Sequence, residues 1–163
     1  MDPLTETSDE HGYDHEPGAG IWVQPPSPLT QVCAVTDNTT PRAVRAALIE
    51  RFGDVPQFAL LHLDAPEQQR LAWMSSCLGA VRAERRGQRR IDGLLALLSA
   101  SCRLLLCTQS ARSLDWLGSV CGHRCAFASL HAITSDDRQN EVAVETVRAL
   151  LHETLAERWG SAL

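Results

Sequence analysis

Few residues in this 163-residue chain have the types and spacings that chemistry requires. Cys121-Gly122-His123-Arg124-Cys125 brings two thiols and an imidazole together, and both are zinc-ligand types. A structural zinc site wants four ligands, usually as two spaced pairs, and the sequence offers no second Cys/His pair. His131 lies eight residues beyond His123 and completes no recognisable pattern. The stretch is read instead as a glycine-containing turn between a helix and a strand. Cys107 closes the apolar run "RLLLC", but no sequence neighbour would activate it as a nucleophile. "GSVCG" is not a nucleophile elbow, because its serine is not central. Asp64 follows the apolar run "ALLHL" and has the position of a metal-holding or proton-accepting carboxylate, and equally that of a solvated acid at a helix start. All fifteen basic residues are arginine. A Walker A lysine, a Schiff-base lysine and a lysine general base are therefore excluded. These motifs give no catalytic residue, no cofactor and no metal to expect, and a small α/β enzyme or nucleotide-binding module with its ligand near Asp37, Asp64 or Thr108 stays open at this point.

The other conspicuous stretch runs from Ala65 to Arg90, "APEQQRLAWMSSCLGAVRAERRGQRR". Its first half is a helix carrying Trp73. From Arg82 it holds five arginines within nine residues, against a single Glu84. A nucleic-acid face would add stacking aromatics or a second basic cluster. The chain has one Tyr and three Phe, and its basic residues do not cluster again. The reading divides between a solvated helix end, where arginine complements the C-terminal dipole, and a protein interface, where Arg and Trp are enriched.

Those residues need elements to position them, and the chain supplies an alternating set. Residues 1 to about 30 are acidic and rich in Pro and Gly, hold six acids and no arginine, and offer only "IWV" for burial; they read as a disordered tail. The rest, 31–160, reads as one α/β domain whose net charge is near +1, so bulk attraction to nucleic acid or an anionic membrane is not implied. "QVCAVT", "PQFALLHL", "CRLLLCT" and "RCAFASLHAI" are predicted strands. Between them fall predicted helices: "TPRAVRAALIERFG", with Thr40 as cap and Pro41 in the first turn, then "PEQQRLAWMSSCLGAV", "RIDGLLALLSA" and "ARSLDWLGSV". A long helix from Ser135 or Asp136 closes the chain. Strands that are apolar without a period of two, alternating with helices, predict a mostly parallel sheet covered on both faces. The six cysteines, mostly within apolar runs, read as small core hydrophobes of a soluble protein in a reducing compartment. No strand is followed by a glycine-rich phosphate loop.

From "QVCAVT" to "HAITSD" the chain resembles the SulA family of SOS-induced bacterial cell-division inhibitors, proteins similar to a reduced RecA core without a nucleotide site. The resemblance lies in a strand leading into "PEQQRLAW", in "CLGAVR", and in "RIDGLLALLSASCRLLLC". It departs at Gly79-Ala80, where the family has Pro-Leu, in a shorter spacing from Pro66 to Trp73, and around Gln57, where a basic residue is missing. Membership would imply a cytoplasmic bacterial inhibitor, not an enzyme, that binds the tubulin-like division protein FtsZ and blocks its polymerisation and GTPase activity, halting septation after DNA damage. It would place Trp73 in or behind an apolar contact with Leu63 beside it, Arg82 as the charge facing an acidic partner, and Arg85 and Arg86 on the rim. It would also imply recognition by an ATP-dependent protease at the C-terminus, and it leaves the oligomeric state open, a homodimer included. The competing reading is a RecA-like accessory protein of DNA repair, without ATPase activity, that contacts a recombinase or translesion polymerase.

Overall fold

A computed structural model describes residues 20–77, 90–110 and 112–160. Five strands form one sheet in the order β1-β3-β2-β4-β5, with β1 Gly20–Gln24, β2 Val32–Asp37, β3 Phe58–Leu63, β4 Arg103–Thr108 and β5 Cys125–Ser129. β2, β3, β4 and β5 run parallel and β1 pairs antiparallel to β3 on the edge. The helices are α1 Arg42–Phe52, α2 Pro66–Cys77, α3 Ile91–Leu95, α4 Gly118–Cys121 and α5 Asp136–Gly160, with 3-10 turns at Asp115–Leu117 and Leu130–Ala132. Among the described residues, no helix is long and apolar enough to cross a membrane.

β2, β3 and most of β4 are buried on both sides because both sides are covered, whereas the edge strand β5 leaves Phe127 53% exposed. Val32, Ala34, Phe58, Leu60, Leu105 and Cys107 face α1 and α5, which contribute Val44, Leu48, Ala143 and Val147. The alternate residues Cys33, Val35, Ala59, Leu61, Leu104 and Leu106 face α3, Trp116 and Leu117. Cys33, Cys102 and Cys107 are buried as the sequence suggested, whereas Cys77 and Cys121 are exposed; all six are free thiols.

One boundary moves. Residues 20–30, assigned to the tail by their composition, belong to the fold. Gly20 pairs with Leu63, Ile21 with His62 and Trp22 with Leu61. Gln24 then donates to the carbonyls of Phe52 and Phe58, and Ser27 Oγ to that of Pro56 at 2.6 Å. Edge-strand hydrogen bonds and a half-buried Trp22 hold a segment whose mean composition reads as unfolded.

The start of α1 differs from expectation too. The helix begins at Arg42, and Thr40 turns its hydroxyl to the carbonyl of Cys107 at 2.5 Å instead of capping. α5 starts as expected, with the Ser135 carbonyl accepting from Gln139 N. Of the arginine run, Arg82, Arg85, Arg86 and Arg89 lie outside the described residues, as do the residues before Gly20, whereas Arg90 is described and pairs with Asp92 at 3.2 Å.

Candidate functional site

Taken alone, the four parallel strands run β3-β2-β4-β5, so the chain leaves β2 to one side and returns to the other. The carboxyl ends of β2 and β4 therefore flank the topological switch point, where α/β sheets usually take ligands. Asp37 ends β2 there and is fully buried. Its Oδ1 accepts from Thr39 N at 2.9 Å, Thr39 Oγ1 at 2.6 Å and Thr40 N at 3.1 Å, while the Thr40 hydroxyl, whose proton goes to the Cys107 carbonyl, lies 3.2 Å away. Its Oδ2 accepts from Thr108 Oγ1 at 2.7 Å and Ser113 Oγ at 2.6 Å. Burial pushes the carboxyl up, but the hydrogen bonds from Ser113, Thr39 and Thr108 outweigh it and hold Asp37 below its ordinary value. An ionised carboxylate with every lone pair engaged has no capacity left to take a proton from a substrate. Its charge also opposes a phosphate at the point where a nucleotide would sit.

A second arrangement imitates a nucleophile triad. His62 Nδ1 lies 3.0 Å from Thr36 Oγ1, and His62 Nε2 lies 2.8 Å from Asp64 Oδ1. The order hydroxyl, imidazole, carboxylate is the catalytic one, but the accessibility is reversed. Thr36 is fully buried in the middle of the sheet and Asp64 is the exposed member. Burial, with the Arg45 charge beside it, lowers the His62 pKa against the opposing pull of Asp64. The chain of contacts fastens the end of β3. Asp64, weighed in the sequence as a metal ligand or base, is the outer end of that fastening.

The cysteine and histidine features resolve as packing. Burial and repulsion from Asp37 push the Cys107 thiol up to about 12. It stays a thiol at neutral pH and cannot be an activated nucleophile. His123 is buried, with Nδ1 3.1 Å from the Cys102 carbonyl and Nε2 3.4 Å from that of Leu95. Gly122 takes the left-handed conformation, φ 73°, that a tight turn before β5 needs. Among the described residues, no group of three or more His, Cys, Asp or Glu is placed to hold a metal ion.

α2 is the unusual element. Pro66 is its one buried residue. Gln69 Oε1 accepts from Ile91 N at 3.2 Å, and Trp73 packs partly buried against the α3 face of the core. The opposite side carries Leu71, 63% exposed, and Met74, 42% exposed, one helical turn apart. Glu67 and Arg70 supply charge at the same helix. Leu63, expected beside Trp73, is fully buried under Gly20 and Leu94, so it supports the surface from within and touches nothing outside. Arg82, Arg85 and Arg86 lie outside the described residues. The outward pair Leu71 and Met74 was missed from the sequence. Its signal was the helical period counted from Pro66, which puts Gln69, Arg70, Trp73 and Ser76 inward and leaves Leu71 and Met74 out.

No protein-family model, curated protein or solved structure matches the chain.

Proposed function

We propose that this protein is a SulA-type division inhibitor that docks α2 on FtsZ and blocks the subunit contact needed for polymerisation and GTP hydrolysis. The observation that carries the reading is that α2 turns Leu71 and Met74 to solvent. An apolar pair on a helix, braced by a tryptophan and flanked by charge, is the make-up of a small interface with an apolar centre and polar rim. The partner's name comes from the resemblance of "PEQQRLAW", "CLGAVR" and "RIDGLLALLSASCRLLLC". On the same reading the domain is a reduced RecA-type core working in the bacterial cytoplasm. The buried Asp37 carboxylate at the switch point supports a binding role, since it fills with fixed negative charge the place where such a fold would hold phosphate.

The test is FtsZ GTPase rate and sedimentation at increasing ratios of the purified chain. Inhibition near one to one is expected. Leu71→Ser with Met74→Ser should weaken it at least about tenfold, as expected for central interface residues, while leaving the urea midpoint unchanged. Trp73→Ala and Arg82→Ala should also weaken it. An excess of inhibitor that leaves FtsZ turnover untouched would sink the reading.

A further inference from the structure

The sheet ends in two edges, and they are built differently. β1 carries a register shift between Trp22 and Gln24 and runs straight into Pro25 and Pro26. A bulge and prolines both interrupt a row of free backbone groups, so this edge is a poor template for another strand. β5 has neither device. Its ladder to β4 is regular from the pair Leu104 and Cys125 to the pair Thr108 and Ser129, and its sequence "CAFAS" holds no charge and no proline.

The direction of the free groups follows from that ladder. Leu104 N donates to the Arg124 carbonyl, so the backbone groups of Arg124, Ala126 and Ala128 turn to β4. Those of Cys125, Phe127 and Ser129 turn outward, and among the described residues no strand pairs with them. On the α5 side of the sheet Ala128 is buried and Ala126 packs against the core. On the other side Cys125 packs against the core, but Phe127 beyond it is 53% exposed and Ser129 is exposed too. An aromatic ring beside a regular, uncharged and unpaired edge is an arrangement that sheets avoid unless another strand covers it.

We propose that β5 pairs antiparallel with β5 of a second copy of this chain, about a two-fold axis at Phe127. The strand is complementary to itself in that register. Phe127 faces the second copy's Phe127 and Cys125 faces its Ser129, so each outward residue exchanges both of its backbone hydrogen bonds. The shared face then carries one aromatic pair flanked by small side chains, and the paired segment sets no like charges against each other. The contact is closed, because it uses up the unprotected edge of both copies and leaves only the two interrupted β1 edges at the ends of one continuous sheet. It does not involve α2, so it stands or falls separately from the FtsZ reading.

The experiment is sedimentation equilibrium of the full chain from micromolar to submillimolar concentration, with amide hydrogen exchange followed by NMR at both ends of the range. A reversible dimer is expected. In it the Phe127 amide is protected, and on dilution it exchanges freely, whereas the Ala126 and Ala128 amides stay protected throughout. Phe127→Asp and Phe127→Lys change an exposed side chain and should leave the circular dichroism spectrum unaltered. Each alone should weaken the dimer at least about tenfold, because position 127 then opposes its own charge. Mixed in equal amounts, the two variants should associate again, since the two-fold axis sets their opposite charges face to face; a merely damaged fold would not recover in this way. The proposal is overturned if the chain stays monomeric throughout, if Phe127→Asp dimerises like the parent, or if the mixed variants stay apart. Slow exchange of the Phe127 amide in the monomer would overturn it too, by showing that the chain covers its own edge.

Discussion

Trp73 of α2 and Trp116 of the turn after β4 stack with ring centroids 5.8 Å apart and planes at 29°. The two are not equivalent. Trp116 is 7% exposed and donates Nε1 to the Ser113 carbonyl at 2.9 Å, so it is a core residue. Trp73 is half-buried on a helix that buries little else. Trp116→Ala should destabilise the chain by about 3–5 kcal/mol, as for a large aromatic truncated in a core. Trp73→Ala should cost about 1–2 kcal/mol, mainly the aromatic contact and a little area. Urea denaturation of both variants measures the difference, and equal costs would show that α2 is packed as firmly as the core.

Asp37 gives a pH-dependent prediction with a definite sign. Its folded pKa lies below the ordinary 3.8, so the native state binds the proton less readily than the unfolded chain. The stability it contributes is fully present above pH 3.8 and fades as pH falls below that value. Asp37→Asn should cost about 2–3 kcal/mol at neutral pH, because hydroxyl and amide donors lose a charged acceptor. In acid the two proteins should converge. A gap that persists unchanged in acid would mean that the charge of Asp37 contributes nothing.

For His62 the window lies higher. Its folded pKa is below the ordinary 6.5, chiefly through burial, so the unfolded chain takes up the proton first. Stability is whole above pH 6.5 and declines as pH falls through that value towards the folded one. His62→Gln should flatten this part of the pH profile of the urea midpoint. If the slope is the same in the variant, another group is responsible.

Gly20 tests whether the fold includes β1. A Cβ there would stand 2.6 Å from Leu94 Cδ1 and 2.8 Å from Leu63 Cδ2. Both are side-chain ends that can shift, so Gly20→Ala should cost about 1–3 kcal/mol through overpacking. Val23→Thr, at an exposed position two residues past Trp22's neighbour Ile21, serves as the control and should be nearly silent. Thermal unfolding of the two distinguishes a strand seated on the core from one that merely lies against it.

The four parallel strands and their order along the chain were legible because runs such as Leu104–Cys107 are apolar at consecutive positions, and a strand covered on both faces demands that. β1 was not, since three apolar residues in a proline-rich acidic context carry no period of their own. They become a strand only because β3 has a free edge. The Asp37 cluster was hidden for a different reason. Its donors Thr108 and Ser113 lie 71 and 76 residues away, and only the strand crossover brings them together. Of the candidate interface, Trp73 was legible from its type, but its neighbours Leu71 and Met74 needed the phase of the helix relative to the core. Leu63, which the resemblance puts beside Trp73, lies in the apolar cluster that Trp73 packs against.

Of the five described strands β1 leaves the ribosome first, yet its ladder partner β3 ends at Leu63, and β2 needs that same β3 on the other side. A nascent chain stopped before Phe58 therefore offers neither earlier strand the neighbour it shares in the finished sheet. Segment Phe58–Leu63 sets the order of events during synthesis, and both strands made before it are obliged to wait.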